Sequence, residues 1–550
     1  MTEQTLDANG VILNATIEAV RVYREMDGGG SNFTLTLTQD GRQHTLPPYS
    51  VDNIDRFRIG KIDPRFVALD EDGKATDTRV QAVLKEAISQ EIRQGRCGVL
   101  LNRTGWAKLP NGRHVYNTGT QVIGDTGGME VKLSDTLPQL ELTDQCIEME
   151  DKWLLRSYLR KLSREPDILI LLAAHMVRSL LASMFERLGF PLRYILYLVG
   201  IQGSGKTTAA NDFGLPLADV TQNTPAPATR ALSSKSAVRD FAAEYRDMSA
   251  LLDDVCTSSS AETRRISTDI AAYTLRFAAD LIPQIISRPG GGQRKVRCTV
   301  GLVITGEFPM SKPSDLTRCV IVEVDHQMRG KEANDRTVSS AVATRFLKHI
   351  AEHYDLISAE ISSALSDFHA DAVEEGGPRQ QQHLGEISCA FQLLLEYARK
   401  IGAIDDVEIA EWGLRLQNAL ERALAANMRL TAKFERENVS NIAKIILDAM
   451  KSETILLAKS KEKFSKKPDK YAGFEGRKRT VYIRLSSLQE LLTSVSGKVW
   501  TNSAVGKQLC ENGLVEVGKD GHTAKAKFPK LGRFVPLNKE KLEKQAKIRK

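Results

Sequence analysis

The chain of 550 residues lacks the marks of several protein classes. Its seven cysteines stand singly, at positions 97, 146, 256, 298, 319, 389 and 510. No C-x-x-C and no Cys/His cluster occurs, so neither a zinc module nor a disulfide framework is indicated. The thiols read as free in a reducing compartment. Long apolar runs are also missing. The longest, "ILILLAAHMV" at 168–177, is too short to span a bilayer, and Arg178 and Arg187 follow closely. It reads as a buried helix, and no membrane partner is expected. The opening "MTEQTLDANG" is polar and has no signal-peptide pattern, which predicts a cytoplasmic location. No internal repeat is present.

What remains is the composition of a soluble globular protein, 42% apolar and 26% charged. The length points to three or four domains. The net charge of +7 hides an asymmetry. Residues 451–550 hold 24 Lys and Arg against 10 Asp and Glu, a net of +14, which leaves −7 on the rest. A basic tail behind a mildly acidic body suggests a polyanionic partner.

Hydrophobic patterning divides the chain. Residues 1–149 read as a β-rich mixed N-terminal domain: "NFTLTLT" alternates, "TRVQAVLKEAISQEI" has helical spacing, and 98–125 holds short strands joined by "NG" and "TG" turns. Residues 150–192 read as a helical linker segment ended by Gly189 and Pro191. Over 193–330, the runs "RYILYLVG", "MSALLDD", "CTVGLVITG" and "RCVIVEVD" alternate with helical segments, the pattern of a mostly parallel sheet with covering helices. Residues 331–435 read as a helical bundle. Residues 436–550 read as a basic domain, with 459–479 a turn-rich connector before helix, helix and two strands.

One stretch carries specific chemistry. "GIQGSGKTT", 200–208, holds G-x-x-x-x-G-K-T after a strand-like run and before a helix-like one. Gly200, Gly203 and Gly205 let backbone N–H groups approach phosphates. Lys206 reaches the β- and γ-phosphates, and the Thr207 hydroxyl holds magnesium, with Ser204 and Thr208 completing the nucleotide-binding set. The expected ligands are ATP and Mg2+. An NTPase also needs an acidic strand end. "SALLDDV" supplies Asp253 for the metal and Asp254 where a base would stand. "TVGLVITGE" ends in Thr305 and Glu307, and a polar group at such a tip would contact the γ-phosphate or orient the water. Arg318, just before "CVIVEV", is the candidate arginine finger for a neighbouring subunit. "IISRPGGGQRKVRCTV" reads as a hairpin with Arg288, Arg294, Lys295 and Arg297 at its tip and flanks, suited to a phosphate backbone in a pore.

In this order, "NRTGWAKLPNGRHVY" (102–116), "GIQGSGKTT", "LLDDV" and "GLVITGEFP" resemble the P-loop ATPases of mobile genetic elements. That group includes the replicative helicases of staphylococcal cassette chromosomes, relatives of the MCM branch of AAA+ proteins. The match covers roughly 95–330. Asp254 stands where the family usually has Glu. The resemblance implies a ring-forming ATPase acting on DNA, and it carries Lys206, Thr207, Asp253, Asp254, Thr305 and Arg318. The C-terminal segments resemble a winged helix whose second helix, near 502–513, would enter the major groove, with Lys507, Lys519, Lys525 and Lys527 on phosphates. The expected fold is therefore multidomain: an α/β P-loop AAA+ core with a β-rich N-terminal domain, a helical lid and a C-terminal winged helix. The expected partners are single- or double-stranded DNA and further copies of the chain in a ring, a hexamer. The alternatives are a DNA-stimulated remodelling or loading ATPase that does not unwind, or an NTP-switched signalling or defence module.

Overall fold

A computed structural model describes residues 12–26, 30–69, 72–74, 76–146, 148–220, 224–230, 233–255, 261–281, 283–287, 293–310, 313–328, 335–371, 378–496, 500–511, 513–515, 526–528 and 532–546. The chain divides into two compact units. One holds residues 1–310 and 314–427, the other 311–313 and 428–550.

The first unit begins with a six-stranded mixed sheet. Its spatial order is Val131–Leu133, Cys97–Leu101, Thr16–Glu25, Ser31–Gln39 and Arg42–Thr45, with Tyr49–Ser50 also paired to Ser31–Gln39. The alternation in "NFTLTLT" places Phe33, Leu35 and Leu37 in the core. Helix Thr78–Arg93 covers them with Val80, Leu84 and Ile88, one stripe at four-residue spacing. The antiparallel hairpin Gly105–Lys108 with His114–Asn117 follows. Trp106 ties it down: its indole Nε1 donates to the Leu180 carbonyl (2.8 Å), and its backbone N–H donates to Asp247 (3.0 Å).

The apolar run at 168–177 lies in helix Pro166–Leu180, in which every residue from Ile168 to Leu180 is buried. A helix apolar all round needs a partner on every side. One partner is helix Pro378–Lys400, reached through a buried ion pair. Arg178 Nη2 and Nε donate to Glu386 Oε2 at 2.6 and 3.0 Å, and both side chains are fully excluded from solvent.

The central sheet comes next. Its strands are β1 (Ile195–Gly200), β2 (Ala228–Arg230), β3 (Ser249–Val255), β4 (Gly301–Gly306) and β5 (Cys319–Val324). They lie in the order β2-β3-β4-β1-β5, and every neighbouring pair is parallel. β1, β4 and β5 read as near-continuous apolar runs because a parallel sheet is covered on both faces. Four of these strands are the four runs read from the sequence. The fifth, β2, has three residues following two prolines within four positions and shows no periodicity. It exists through its pairing with β3. Because the strands are parallel, their C-terminal ends share one edge of the sheet, where loops bring residues from distant positions together.

Beyond β5, helices Asp335–Glu352, Tyr354–Asp371, Pro378–Lys400 and Asp406–Lys451 follow. Buried Asp335 joins the first of them to helix Asp151–Leu162 through Lys161 Nζ, at 2.7 Å.

The second unit holds a five-stranded sheet in the order Leu457–Ala458, Gly473–Glu475, Thr480–Ile483, Gly532–Asn538, Ala526–Phe528. Helices Leu485–Ser496 and Asn502–Glu511 pack on it through Leu488, Leu492, Val505 and Leu509. The stretch 459–479 is more than a connector. It contains helix Lys461–Lys466 and strand Gly473–Glu475, and its Phe464 and Phe474 are buried with Phe534. The aromatic pair is inconspicuous among the lysines, yet it anchors the segment.

Candidate nucleotide-binding site

β1 ends at Gly200. The loop that follows turns through Gly203 (φ 75°) and Gly205 (φ 93°), left-handed conformations that cost a side-chain-bearing residue 1–2 kcal/mol (about). Helix Lys206–Ala209 then begins, so its unpaired N–H groups face the loop. Met328, just past β5, closes over the loop. Its N–H donates to the Ser204 carbonyl at 3.1 Å. A Cβ at Gly205 would come within 3.3 Å of Met328 Cε.

Lys206 is buried, with its ammonium turned back onto the loop. Nζ donates to the carbonyls of Gly200 (2.9 Å) and Ile201 (2.6 Å) and to Ser204 Oγ (3.2 Å). Burial lowers its pKa below the ordinary lysine value. The negative charges of Glu307, then Asp253 and Asp254, act against that shift. An ammonium held this way is a ready donor for phosphate oxygens in place of those carbonyls.

The tips of β3 and β4 meet the first turn of the helix at one oxygen. Thr207 Oγ1 donates to Asp253 Oδ1 at 2.8 Å, and the Thr305 hydroxyl donates to the same oxygen. Thr305 Oγ1 in turn accepts the N–H of Asp254, at 3.3 Å. At this point β3 bulges, with its register against β4 shifting between Leu252 and Val255. Asp254 has φ 62°, and its side chain is exposed. Two hydroxyls and a half-buried carboxylate therefore converge beside the loop. Hard oxygen donors with a single carboxylate suit Mg2+, which completes its shell with phosphate and water. The residues fit the ion: Thr207 and Asp253 would hold it, and it would neutralise phosphate charge. Lys206, Thr207, Asp253 and Thr305 are thus brought together. The sequence offered Thr305 as a contact to phosphate or water, whereas here its hydroxyl holds Asp253 and the Asp254 backbone.

Arg318 lies elsewhere. It precedes β5, at the sheet edge opposite the loop, about 20 Å away for a six-residue strand. Its guanidinium is paired with Asp280, Nε to Oδ1 at 2.8 Å and Nη2 to Oδ2 at 3.1 Å, and Nη1 also donates to the Ser314 carbonyl.

Of the basic residues expected to meet DNA, Arg294 and Lys295 lie on strand Gln293–Val296, which pairs antiparallel with Gln284–Ser287. Arg288 and the rest of the tip fall outside the described residues. Arg297 forms an ion pair with Glu186. Lys507 is exposed on helix Asn502–Glu511, and Lys527 lies on strand Ala526–Phe528. Lys519 and Lys525 fall outside the described residues. Among the described residues no helix is long and apolar enough to cross a membrane.

Sequence reasoning missed Met328 and Tyr197. The Tyr197 hydroxyl, on β1, donates to the Phe308 carbonyl at 2.6 Å and fixes the turn after β4. Nothing in the local sequence marks either contact.

No family model and no curated protein matches the chain. Among solved structures, its fold is similar to that of SCCmec type IV Cch, described as an active helicase. The TM-score is 0.59 at 13% identity, over 96% of this chain and 95% of that one. This likeness of fold extends well beyond the 95–330 stretch that carries the sequence resemblance. A JCV helicase crystallised with an acetamide compound matches 52% of this chain and 74% of its own, at 15% identity and TM-score 0.21. The apo C-terminal region of NrS-1 matches 94% and 96%, at 9% identity and TM-score 0.27. These last two scores are too low to bear on the fold.

Proposed function

We propose that the chain is an ATP-dependent DNA helicase or translocase of a mobile element, working as a homo-oligomeric ring, a hexamer, in the cytoplasm. The observation that carries this is the convergence of Lys206, Thr207, Asp253 and Thr305 at the C-terminal edge of a parallel sheet. Such an edge, with a glycine-turned loop opening a helix, suits a nucleoside triphosphate and Mg2+. The likeness in fold to a protein described as an active helicase supports the use of that energy on DNA.

In this reading the loop from Gly200 to Thr208 binds ATP and Lys206 engages its phosphates. Arg318 exchanges Asp280 for the γ-phosphate of a neighbouring subunit. Its distance from the loop in its own chain leaves that use to another copy. The hairpin bearing Arg288, Arg294, Lys295 and Arg297 grips a DNA backbone. Residues 331–435 form a lid. The two helices and paired strands of 436–550 act as a winged helix that presents Lys507, Lys525 and Lys527 to phosphates.

The test is ATP hydrolysis with and without single-stranded DNA, wild type beside Lys206→Ala. Stimulation by DNA that vanishes in the variant supports the motor, and strand displacement on a forked duplex then separates unwinding from remodelling. Hydrolysis that needs Lys206 but is indifferent to DNA counts against it and favours a switch or protein-remodelling ATPase.

A further inference from the structure

We infer that Glu307, at the turn after β4, is the carboxylate that activates the attacking water, in place of Asp254. This rests on the reading of the site as an ATPase.

The sheet order carries the argument. β4 lies directly beside β1, the strand that enters the phosphate loop, whereas β3 lies one strand further out. In the β1–β4 register, Leu198 faces Thr305 and Val199 faces Gly306. The next residues along are Gly200, where the loop begins, and Glu307. Glu307 therefore leaves the strand next to the one that enters the loop, and Asp254 stands at the end of the strand beyond it. Gly200 also supplies a carbonyl to which Lys206 donates, so the ammonium that would hold the γ-phosphate sits at the end of β1, the strand that β4 flanks.

The turn is built to present this side chain. A Cβ on Gly306 would collide with the Val255 carbonyl and the Tyr197 hydroxyl, so the backbone there lies tight between β3 and β1. Fully buried Tyr197 then clamps the Phe308 carbonyl at 2.6 Å. Glu307 sits between these two fixed points, half-buried. Asp254 is differently placed. It occupies a left-handed bulge, its N–H is bound to Thr305, its side chain is exposed, and it is one methylene shorter. Glutamate at 307 has the reach that aspartate at 254 lacks.

The step balances simply. A water oxygen forms a bond to the γ-phosphorus, and the bond from that phosphorus to the β,γ-bridging oxygen breaks. The bridging oxygen leaves on ADP with its electron pair. The water proton passes to the Glu307 carboxylate and is released to solvent with inorganic phosphate.

The experiment compares full-length wild type, Glu307→Gln, Glu307→Asp and Asp254→Asn for ATP affinity by calorimetry, single-turnover hydrolysis and its pH profile. We expect Glu307→Gln to slow hydrolysis about 100-fold or more, with ATP affinity within about threefold of wild type and no acid limb in the residual rate. Glu307→Asp keeps the charge but withdraws it, and should slow the reaction about tenfold or more. Asp254→Asn should cost less than about tenfold. The assignment is overturned if Asp254→Asn costs as much as Glu307→Gln. It is also overturned if affinity and rate fall together in both Glu307 variants, as for a residue that only pairs with Lys206. Wild type that hydrolyses ATP alongside a fully active Glu307→Gln sinks this assignment alone. Wild type that binds ATP and never hydrolyses it sinks the ATPase reading as well.

Discussion

Replacing Thr305 by Val keeps shape and volume and removes one hydroxyl. That hydroxyl gives its proton to Asp253 Oδ1 and accepts the N–H of Asp254, at a site only 2% exposed. A hydrogen bond to a charged group is worth about 1.5–3 kcal/mol. Losing this one frees Asp253 to turn away from Thr207, and the Asp254 N–H loses its acceptor. Partners of this kind behind a metal-holding carboxylate typically change metal affinity about 10- to 100-fold. The expected result is a Mg2+ requirement raised by about that factor, read from ATPase rates titrated with Mg2+ at saturating ATP. Nucleotide affinity measured in EDTA should stay unchanged, because Lys206 and the loop are untouched. Thr305→Ser, which restores the hydroxyl, should return the Mg2+ midpoint close to wild type. A Thr305→Val protein with an unaltered midpoint but a lower rate at saturating Mg2+ would refute this reasoning and return Thr305 to a direct contact with phosphate or water.

Three further outcomes follow from the buried polar groups. Glu386→Leu strands the Arg178 charge in the core and should destabilise the protein by about 3–5 kcal/mol, whereas Arg178→Met with Glu386→Leu should recover most of that loss in thermal melts; a double variant as unstable as the single would count against it. Asp335 is drawn upward by burial and further downward by hydrogen bonds from Lys161 and Arg164, so its pKa lies below the usual carboxylate value. Its contribution to stability is therefore present above the unfolded pKa of about 3.9 and is lost as pH falls through the lower folded value, and melting temperature against pH should fall less steeply at the acid end in Asp335→Asn than in wild type. Buried Asp247 accepts from the Trp106 N–H (3.0 Å), the Ser183 N–H (2.5 Å) and Ser183 Oγ (2.8 Å), and Asp247→Ala leaves these donors without their acceptor; about 3 kcal/mol or more should be lost, with a change in tryptophan emission, and a melt within 1 °C of wild type (roughly) would contradict it.

The parts of this molecule legible from the chain alone are those whose physics is local. The loop from Gly200 to Thr207 is one, because eight consecutive residues supply the turn, the ammonium and the hydroxyl. The buried strands are another, since a strand covered on both faces must be apolar throughout. The bonds that hold the candidate site together are long-range. Asp253 and Thr305 are 52 positions apart and meet because β3 and β4 are neighbours, an order no periodicity announces. The same order sets apart the carboxylates at the ends of β3 and β4. Adjacent acids at 253 and 254 suggested a metal ligand followed by a base; β3 bulges there with the Asp254 side chain exposed, and Glu307 follows the neighbouring strand β4. Arg318 shows the opposite case. Its place before an apolar strand was readable, but its partner Asp280 was not, since the ion pair joins the residue just past helix Ala261–Ala279 to one 38 positions along the chain. At 459–479 a basic composition suggested a turn-rich connector, whereas Phe464 and Phe474 bury their rings with Phe534 and anchor the segment. Two aromatic rings in a shared core outweigh several solvated ammonium groups, which keep their hydration at no cost to the fold.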